Sequence, residues 1–244
     1  MRRFAMVTIT AILAALAVAC MPIAVPTTPE EICGRYAIET GWQPDLSPTA
    51  DRDVVVVGDS LSFGLATEHA LEPVLDAETG DHLAMVDGRI GCTTGERAGA
   101  VEWYAEHHPD VLVIELGTND VRDASIYRKR SSFASAPLAL VEARNTLRDL
   151  TSYAKHEGVG CVVFVGVNQQ ATGDFDLRRF GPAINDTLSA TARSDSSVRF
   201  ADWERASRSH PEWFVDDHVH LTGAGSDGMA SLIADTVHTC PDRG

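Results

Sequence analysis

Four consecutive valines, Val54 to Val57, run straight into Gly58-Asp59-Ser60, and this stretch constrains the 244-residue chain more than any other. A run so short and so β-branched reads as a strand buried on both faces. Comparable apolar runs recur at residues 83–86, 111–116, 162–167 and 198–201. Helical spacing fills the gaps. Residues 61–78 read as one helix, Leu140, Ala143, Leu147, Leu150 and Ala154 advance by three and four, and a last helix over 224–239 presents Met229, Leu232, Ile233 and Val237. Strands alternating with helices predict an α/β fold, a parallel sheet with helices on both faces. Such a sheet binds ligands at the edge formed by the C-terminal ends of its strands.

The polar motifs fall at that edge. Gly58-Asp59-Ser60 follows the first run, Gly88-Arg89-Ile90-Gly91-Cys92 the second, and Gly117-Thr118-Asn119-Asp120 the third. Asp216-Asp217-His218-Val219-His220 precedes the final helix. A serine at a strand-to-helix junction can be exposed, and the free N–H groups of a helix start can face a developing negative charge. It is a weak nucleophile until a base takes its proton. His220 is the candidate base, and Asp217, three residues earlier, can hold its far nitrogen. Ser60 N–H, Gly91 N–H and the Asn119 amide are the candidate oxyanion donors. Each has a plainer reading: Asp59 or Ser60 as a helix cap, Gly91 and Asn119 as turn formers, and the Asp–His cluster as zinc ligands.

Gly58-Asp59-Ser60-Leu61, Gly91, Gly117-Thr118-Asn119-Asp120 and Asp217-x-x-His220-Leu221 resemble, in order, the four blocks of the SGNH, or GDSL, hydrolase family. The resemblance implies a three-layer α/β/α sandwich with a five-stranded, flavodoxin-like sheet of order 2-1-3-4-5. It also implies a serine esterase that needs no metal or other cofactor. Ser60 would be the nucleophile, His220 the base, Asp217 its partner, and Ser60, Gly91 and Asn119 the oxyanion hole. Two positions depart from the pattern: His218 stands where the family often has Gly, and Cys92 where it often has a polar residue. Gly223 to Gly228 spell G-x-G-x-x-G, but no strand precedes them as a dinucleotide site requires, and no G-x-S-x-G is present.

The remaining features bear on substrate and location. A net charge of −15 argues against nucleic acid and against charge-driven membrane binding. Arg2-Arg3 followed by an uncharged apolar run to Ala19 reads as an export signal over 1–19, shorter than the ~20 residues a membrane span needs. Ala17-Val18-Ala19-Cys20 resembles a lipobox, which would make Cys20 a lipidated N-terminus and the protein's membrane anchor; the alternative is an ordinary cysteine after an A-x-A cleavage site. Residues 20–52 read as a Pro-rich tether and extension with a short helical piece around Cys33, and 53–240 as the hydrolase domain. The other four cysteines suggest two disulfides, Cys161–Cys240 at the N-terminal edge of the sheet and Cys33–Cys92, with free thiols as the alternative.

The stretch 120–137 reads as irregular, and its Tyr127-Arg128-Lys129-Arg130 cluster as either a contact for an anionic or sugar-rich substrate or a solvated loop. Trp213 and Phe214 read as an acyl-pocket wall or as core. With no wide apolar lid evident, the expectation is an exported esterase for a short-chain acyl ester on a small molecule or glycan. The alternatives are an acyltransferase acting on a cell-envelope glycan and a non-catalytic surface binding module.

Overall fold

The computed structural model describes residues 52–130, 135–172 and 175–241. Its strands are β1 (Asp53–Gly58), β2 (His82–Gly88), β3 (Val111–Glu115), β4 (Cys161–Val165) and β5 (Val198–Ala201). They form one all-parallel sheet in the order β2-β1-β3-β4-β5, as the resemblance implied. The sheet grows from β1 to β2 on one side and to β3 on the other, so the topological switch lies between β1 and β3. That is where such a sheet opens a crevice for ligands.

The helices are α1 (Ser60–Glu68), α2 (Glu72–Thr79), α3 (Thr94–Ala105), α4 (Thr118–Arg130), α5 (Ser135–His156), α6 (Leu177–Ser194), α7 (Trp203–Ser207) and α8 (Gly223–His238). Strand side chains alternate between the two faces. Val55, Val57, Leu112, Ile114, Val162 and Phe164 pack under α3, α4, α5 and α6. Val54, Val56, Val111, Val113 and Val163 pack under α1, α2, α7 and α8. All four valines of β1 are fully buried, each contributing roughly 1.5–3 kcal/mol of apolar burial.

Two expectations are corrected. Residues 61–78 are two helices, because Pro73 has no N–H for the His69 carbonyl and its ring would clash there; His69 closes α1 in the left-handed region, at φ 51°. The stretch expected to be irregular after Asn119 is helical from Thr118 to Arg130, with Val121 and Ala124 turned into the core. The basic cluster therefore lies on the last turn of α4.

At the N-terminal edge, Cys161 and Cys240 are disulfide-bonded across 79 residues. Beside them the Arg52 guanidinium donates to both Asp81 carboxylate oxygens, at 2.9 and 2.8 Å, and to the Cys240 carbonyl at 2.9 Å. Cys33, Cys20, the export signal and the tether up to residue 51 lie outside the described residues. Among the described residues, no helix is long and apolar enough to cross a membrane.

Candidate active site

The turn between β1 and α1 separates two jobs that the sequence left open. Asp59 takes the capping one: its Oδ1 accepts the Leu61 N–H at 3.0 Å. Ser60 is thereby the first residue of α1, half-buried, with its hydroxyl at the rim. Its Oγ lies 3.0 Å from His220 Nε2, although 160 residues separate them in sequence. The other ring nitrogen, Nδ1, lies 2.6 Å from Asp217 Oδ2. Asp217 Oδ1 meanwhile accepts the N–H groups of Val219 (2.8 Å) and His220 (2.9 Å). Partial burial pushes the Asp217 carboxyl up, but the bonds from the His220 ring and these two N–H groups outweigh it and hold the group below the usual aspartate range.

The loop carrying Asp217 and His220 is fixed at both ends. Val215 N–H donates to the His220 carbonyl at 2.9 Å, and Phe214 bridges to Leu221. Trp213 stacks on buried Trp203 at 5.5 Å and under His210 at 4.0 Å. It also lies so close to α8 that a Cβ on Gly225 would sit 2.0 Å from its carbonyl oxygen. Trp213 and Phe214 are thus core residues beneath the loop rather than an acyl-pocket wall. Gly225 and Gly228 of the G-x-G-x-x-G stretch allow this close approach of Trp213 to α8.

The other polar turns meet the serine turn. Asn119, 2% exposed, donates from Nδ2 to Asp59 Oδ2 at 2.9 Å, which leaves its second amide hydrogen for another acceptor. Gly91 adopts φ 79°, a conformation that favours glycine. Its loop is tied to the serine turn by Arg89 N–H on the Gly58 carbonyl (3.1 Å), and to α4 by Arg122 Nη2 on the Gly91 carbonyl (3.2 Å). Asp120 accepts both the N–H and the hydroxyl of Thr94, at 2.9 and 2.8 Å, and burial pushes its carboxyl up to about 6.

Residues 56–227 match the model of the GDSL-like Lipase/Acylhydrolase family. The chain belongs to this family. Over 161 residues it is 39% identical to the O-acetyltransferase OatA of Staphylococcus aureus, covering 64% of this chain and 21% of that one. The putative peptidoglycan O-acetyltransferase YrhL of Bacillus subtilis is 23% identical over 185 residues, covering 75% and 23%. The chain thus spans about a fifth of the length of these relatives. Among solved structures, a variant of Axe2, an acetyl-xylooligosaccharide esterase from Geobacillus, superposes with a TM-score of 0.60 at 20% identity, covering 80% of this chain and 98% of that one. The C-terminal catalytic domain of OatA from Streptococcus pneumoniae does so at 0.54 and 16% identity, covering 80% and 99%. These two likenesses show the shared GDSL fold.

Four residues that the sequence reading did not single out join the candidate site. Asn168, just past β4, donates from Nδ2 to the His218 carbonyl at 3.1 Å and holds the Asp–His loop, in which His218 sits at φ 58°. Phe175 packs edge-to-face with the His220 ring at 6.3 Å, and the Arg122 guanidinium lies 6.0 Å from the same Phe175 ring. Glu115 ends β3 with its carboxyl buried beneath the serine turn. The signal for Glu115 was an acid inside an otherwise apolar run; for Arg122 it was a position one turn after Asn119. For Asn168 it was a polar residue directly after the apolar run 162–167; Phe175 carried none.

Proposed function

We propose that the protein is an exported serine esterase that removes a short acyl group, acetyl above all, from a hydroxyl of a glycan. The observation that carries this reading is the chain of contacts from Ser60 Oγ through the His220 ring to Asp217, at 3.0 and 2.6 Å. Ser60 Oγ attacks the ester carbonyl as its proton passes to His220 Nε2. The carbonyl oxygen becomes an anion, held by Ser60 N–H, Gly91 N–H and the Asn119 amide. The C–O bond then breaks, and the alcohol leaves with the proton from His220. Water repeats the sequence on the acyl-Ser60 ester, releasing the acid and restoring the hydroxyl. Asp217 keeps the imidazole in the tautomer that accepts at Nε2 and stabilises the imidazolium that forms.

The alcohol must lie beside His220, because it takes its proton there. Phe175 packs on the His220 ring and the Arg122 guanidinium, also bonded to Asp123, lies 6.0 Å from Phe175; an aromatic ring with a guanidinium nearby suits a sugar that offers C–H faces and hydroxyls. The acetyl group in the names of the GDSL relatives supports a short acyl chain. Transfer of the acyl group to a glycan hydroxyl instead of to water is the second reading, favoured by the 39% identity to an O-acetyltransferase. Export through the signal over 1–19 is supported by the peptidoglycan named for YrhL; Cys20 would be the anchor.

A panel of aryl acetate, butyrate and octanoate esters, run with an acetylated oligosaccharide, tests the proposal alongside phosphonate labelling. Acetate turnover should dominate, Ser60→Ala should abolish it, and the phosphonate should label Ser60. Equal turnover by Ser60→Ala refutes it, and failure to label points to a binding module. Free acid as the product marks hydrolysis, whereas a newly acylated glycan without free acid marks transfer.

A further inference from the structure

Beneath the nucleophile lie two carboxyl groups, and among the described residues no cation stands between them. Asp59 is 0% exposed and Glu115 2%. Asp59 Oδ1 accepts from Leu61 N–H and Oδ2 from the Asn119 amide. Glu115 Oε2 accepts the Ser62 hydroxyl at 3.0 Å, Ser62 N–H at 3.2 Å and Asp59 N–H at 3.3 Å. All five donors are neutral. Among the described residues, neither carboxyl has an ion-pair partner, and the Asp59 N–H on Glu115 Oε2 brings the two acids into the same buried turn. Two neighbouring buried carboxylates without a cation cannot both stay charged, and a hydrogen bond between them requires a proton.

We propose that Glu115 is a positioning residue that works as a neutral carboxylic acid, donating its proton to Asp59. Asp59 thereby remains an acceptor-only carboxylate, and Asn119 can present only N–H to the reacting oxygen. The inference deepens the oxyanion role proposed for Asn119 and rests on it. An amide can turn over and exchange its oxygen for its NH2 group. Facing a carboxylate, it must offer a hydrogen, so both hydrogens lie on the Asp59 side of the amide and its oxygen faces away. Were Asp59 protonated, it could donate to the Asn119 oxygen instead, and the flipped amide would lose the N–H that stabilises the anion.

The proton belongs on Glu115 for two reasons. Asp59 caps α1, where the helix dipole favours negative charge. Burial and the neighbouring Asp59 charge push Glu115 well above the usual carboxyl range, whereas Asp59 is raised by burial but drawn back by the Leu61 N–H, the Glu115 side chain, the His220 charge and the Asn119 amide. His220 is the other titratable group whose charge reaches Asp59; Asp120, on the same helix as Asn119, is turned to Thr94.

The test combines infrared spectroscopy with kinetics on the full chain. At neutral pH the protein should show a protonated-carboxyl C=O stretch that shifts in D2O and is missing from Glu115→Gln. Superimposable spectra of the two proteins overturn the proposal, and this readout needs no substrate, so it stands apart from the esterase reading. In kinetics on an aryl acetate, Glu115→Gln should recover most of the kcat that Glu115→Ala loses, because an amide replaces the acid as donor to Asp59 and acceptor from Ser62. Asp59→Asn keeps a good helix cap but frees the Asn119 amide to flip. Its kcat should fall on the order of 10²-fold, with KM and melting temperature little changed. If Glu115 acted as an anion, Glu115→Gln would be as impaired as Glu115→Ala. Should Glu115→Ala fail to fold, the other two variants and the spectra decide.

Discussion

Asp217→Asn is the substitution whose outcome the structure specifies most closely. The carboxylate has two duties on separate oxygens: Oδ2 faces His220 Nδ1 at 2.6 Å, and Oδ1 takes the N–H groups of Val219 and His220. Asparagine has one acceptor and one donor end. Two backbone N–H groups at 2.8 and 2.9 Å claim the oxygen, so the NH2 group faces the imidazole and can bond only to an Nδ1 lone pair. That selects the tautomer with its hydrogen on Nε2, which cannot accept the Ser60 proton. In a buried triad this exchange costs about 10⁴ in kcat. Here the Asp217 and His220 side chains are each 42% exposed, so water at Nδ1 can rescue part of the population. The expected loss is therefore about 10³-fold, roughly 4 kcal/mol of barrier. KM and melting temperature should stay close to those of the parent, because the backbone staple survives. Asp217→Ala removes the staple as well and should lower the melting temperature. The assay is kcat and KM on an aryl acetate, with thermal melts of the same samples. An Asp217→Asn protein within tenfold of the parent kcat would show that Asp217 does not set the tautomer.

Three other outcomes follow from single contacts. Burial raises the Asp120 carboxyl to about 6, so its neutral form is favoured in the fold; that contribution is complete below about pH 4 and is lost as pH rises through about 6. Asp120→Asn keeps an acceptor for Thr94, and its melting temperature relative to the parent should climb between about pH 4 and pH 7, by up to about 3 kcal/mol in stability; a constant offset across that range refutes the assignment. Gly225→Ala would place a methyl 2.0 Å from the Trp213 carbonyl, forcing α8 and the Asp–His loop apart. It should cost about 1–3 kcal/mol by chemical denaturation and lower kcat, whereas a stable, fully active variant would mean the loop adapts. Phe175→Ala should raise KM for an acetylated oligosaccharide more than for an aryl acetate, and equal effects on both would remove Phe175 from the alcohol side.

The sheet and the rim were legible because both rest on local chemistry. A valine run can hardly be anything but a covered strand, and polar turns after parallel strands must gather at one edge. Ser60, Asn119, Asp217 and His220 could therefore be placed from their positions in the alternation alone. The break at His69 was also legible in principle, since Pro73 stands four residues on, but apolar spacing on either side masked it. Residues 120–130 misled for the opposite reason: their charge hid the few inward positions, Val121 and Ala124, that make the segment a helix. Asn168 stood at the rim by the same rule, directly after the run 162–167, but its contact with the His218 carbonyl, like that of Phe175 with His220, is set only by how β4 and the Asp–His loop come together.

The site divides into a buried half and an exposed half, and the division bears on hydrolysis against transfer. Asp59, Glu115 and Asn119 are all under about a tenth exposed, so the proposed oxyanion donor Asn119 and the acids beside it sit where water cannot screen or reorganise them. Asp217 and His220 stand open to solvent, where a proton, a water molecule or an incoming alcohol can reach the imidazole. In the proposed mechanism both reactions would use the buried half identically, since each would pass through the same acyl-Ser60. They differ only in what deprotonates at His220 in the second step. With His220 this open, water competes by default, and transfer requires an acceptor sugar held beside Phe175 and Arg122 long enough to exclude it. The ratio of transfer to hydrolysis should therefore rise with acceptor concentration and fall in Phe175→Ala, while the rate of acylation measured with an aryl acetate stays the same.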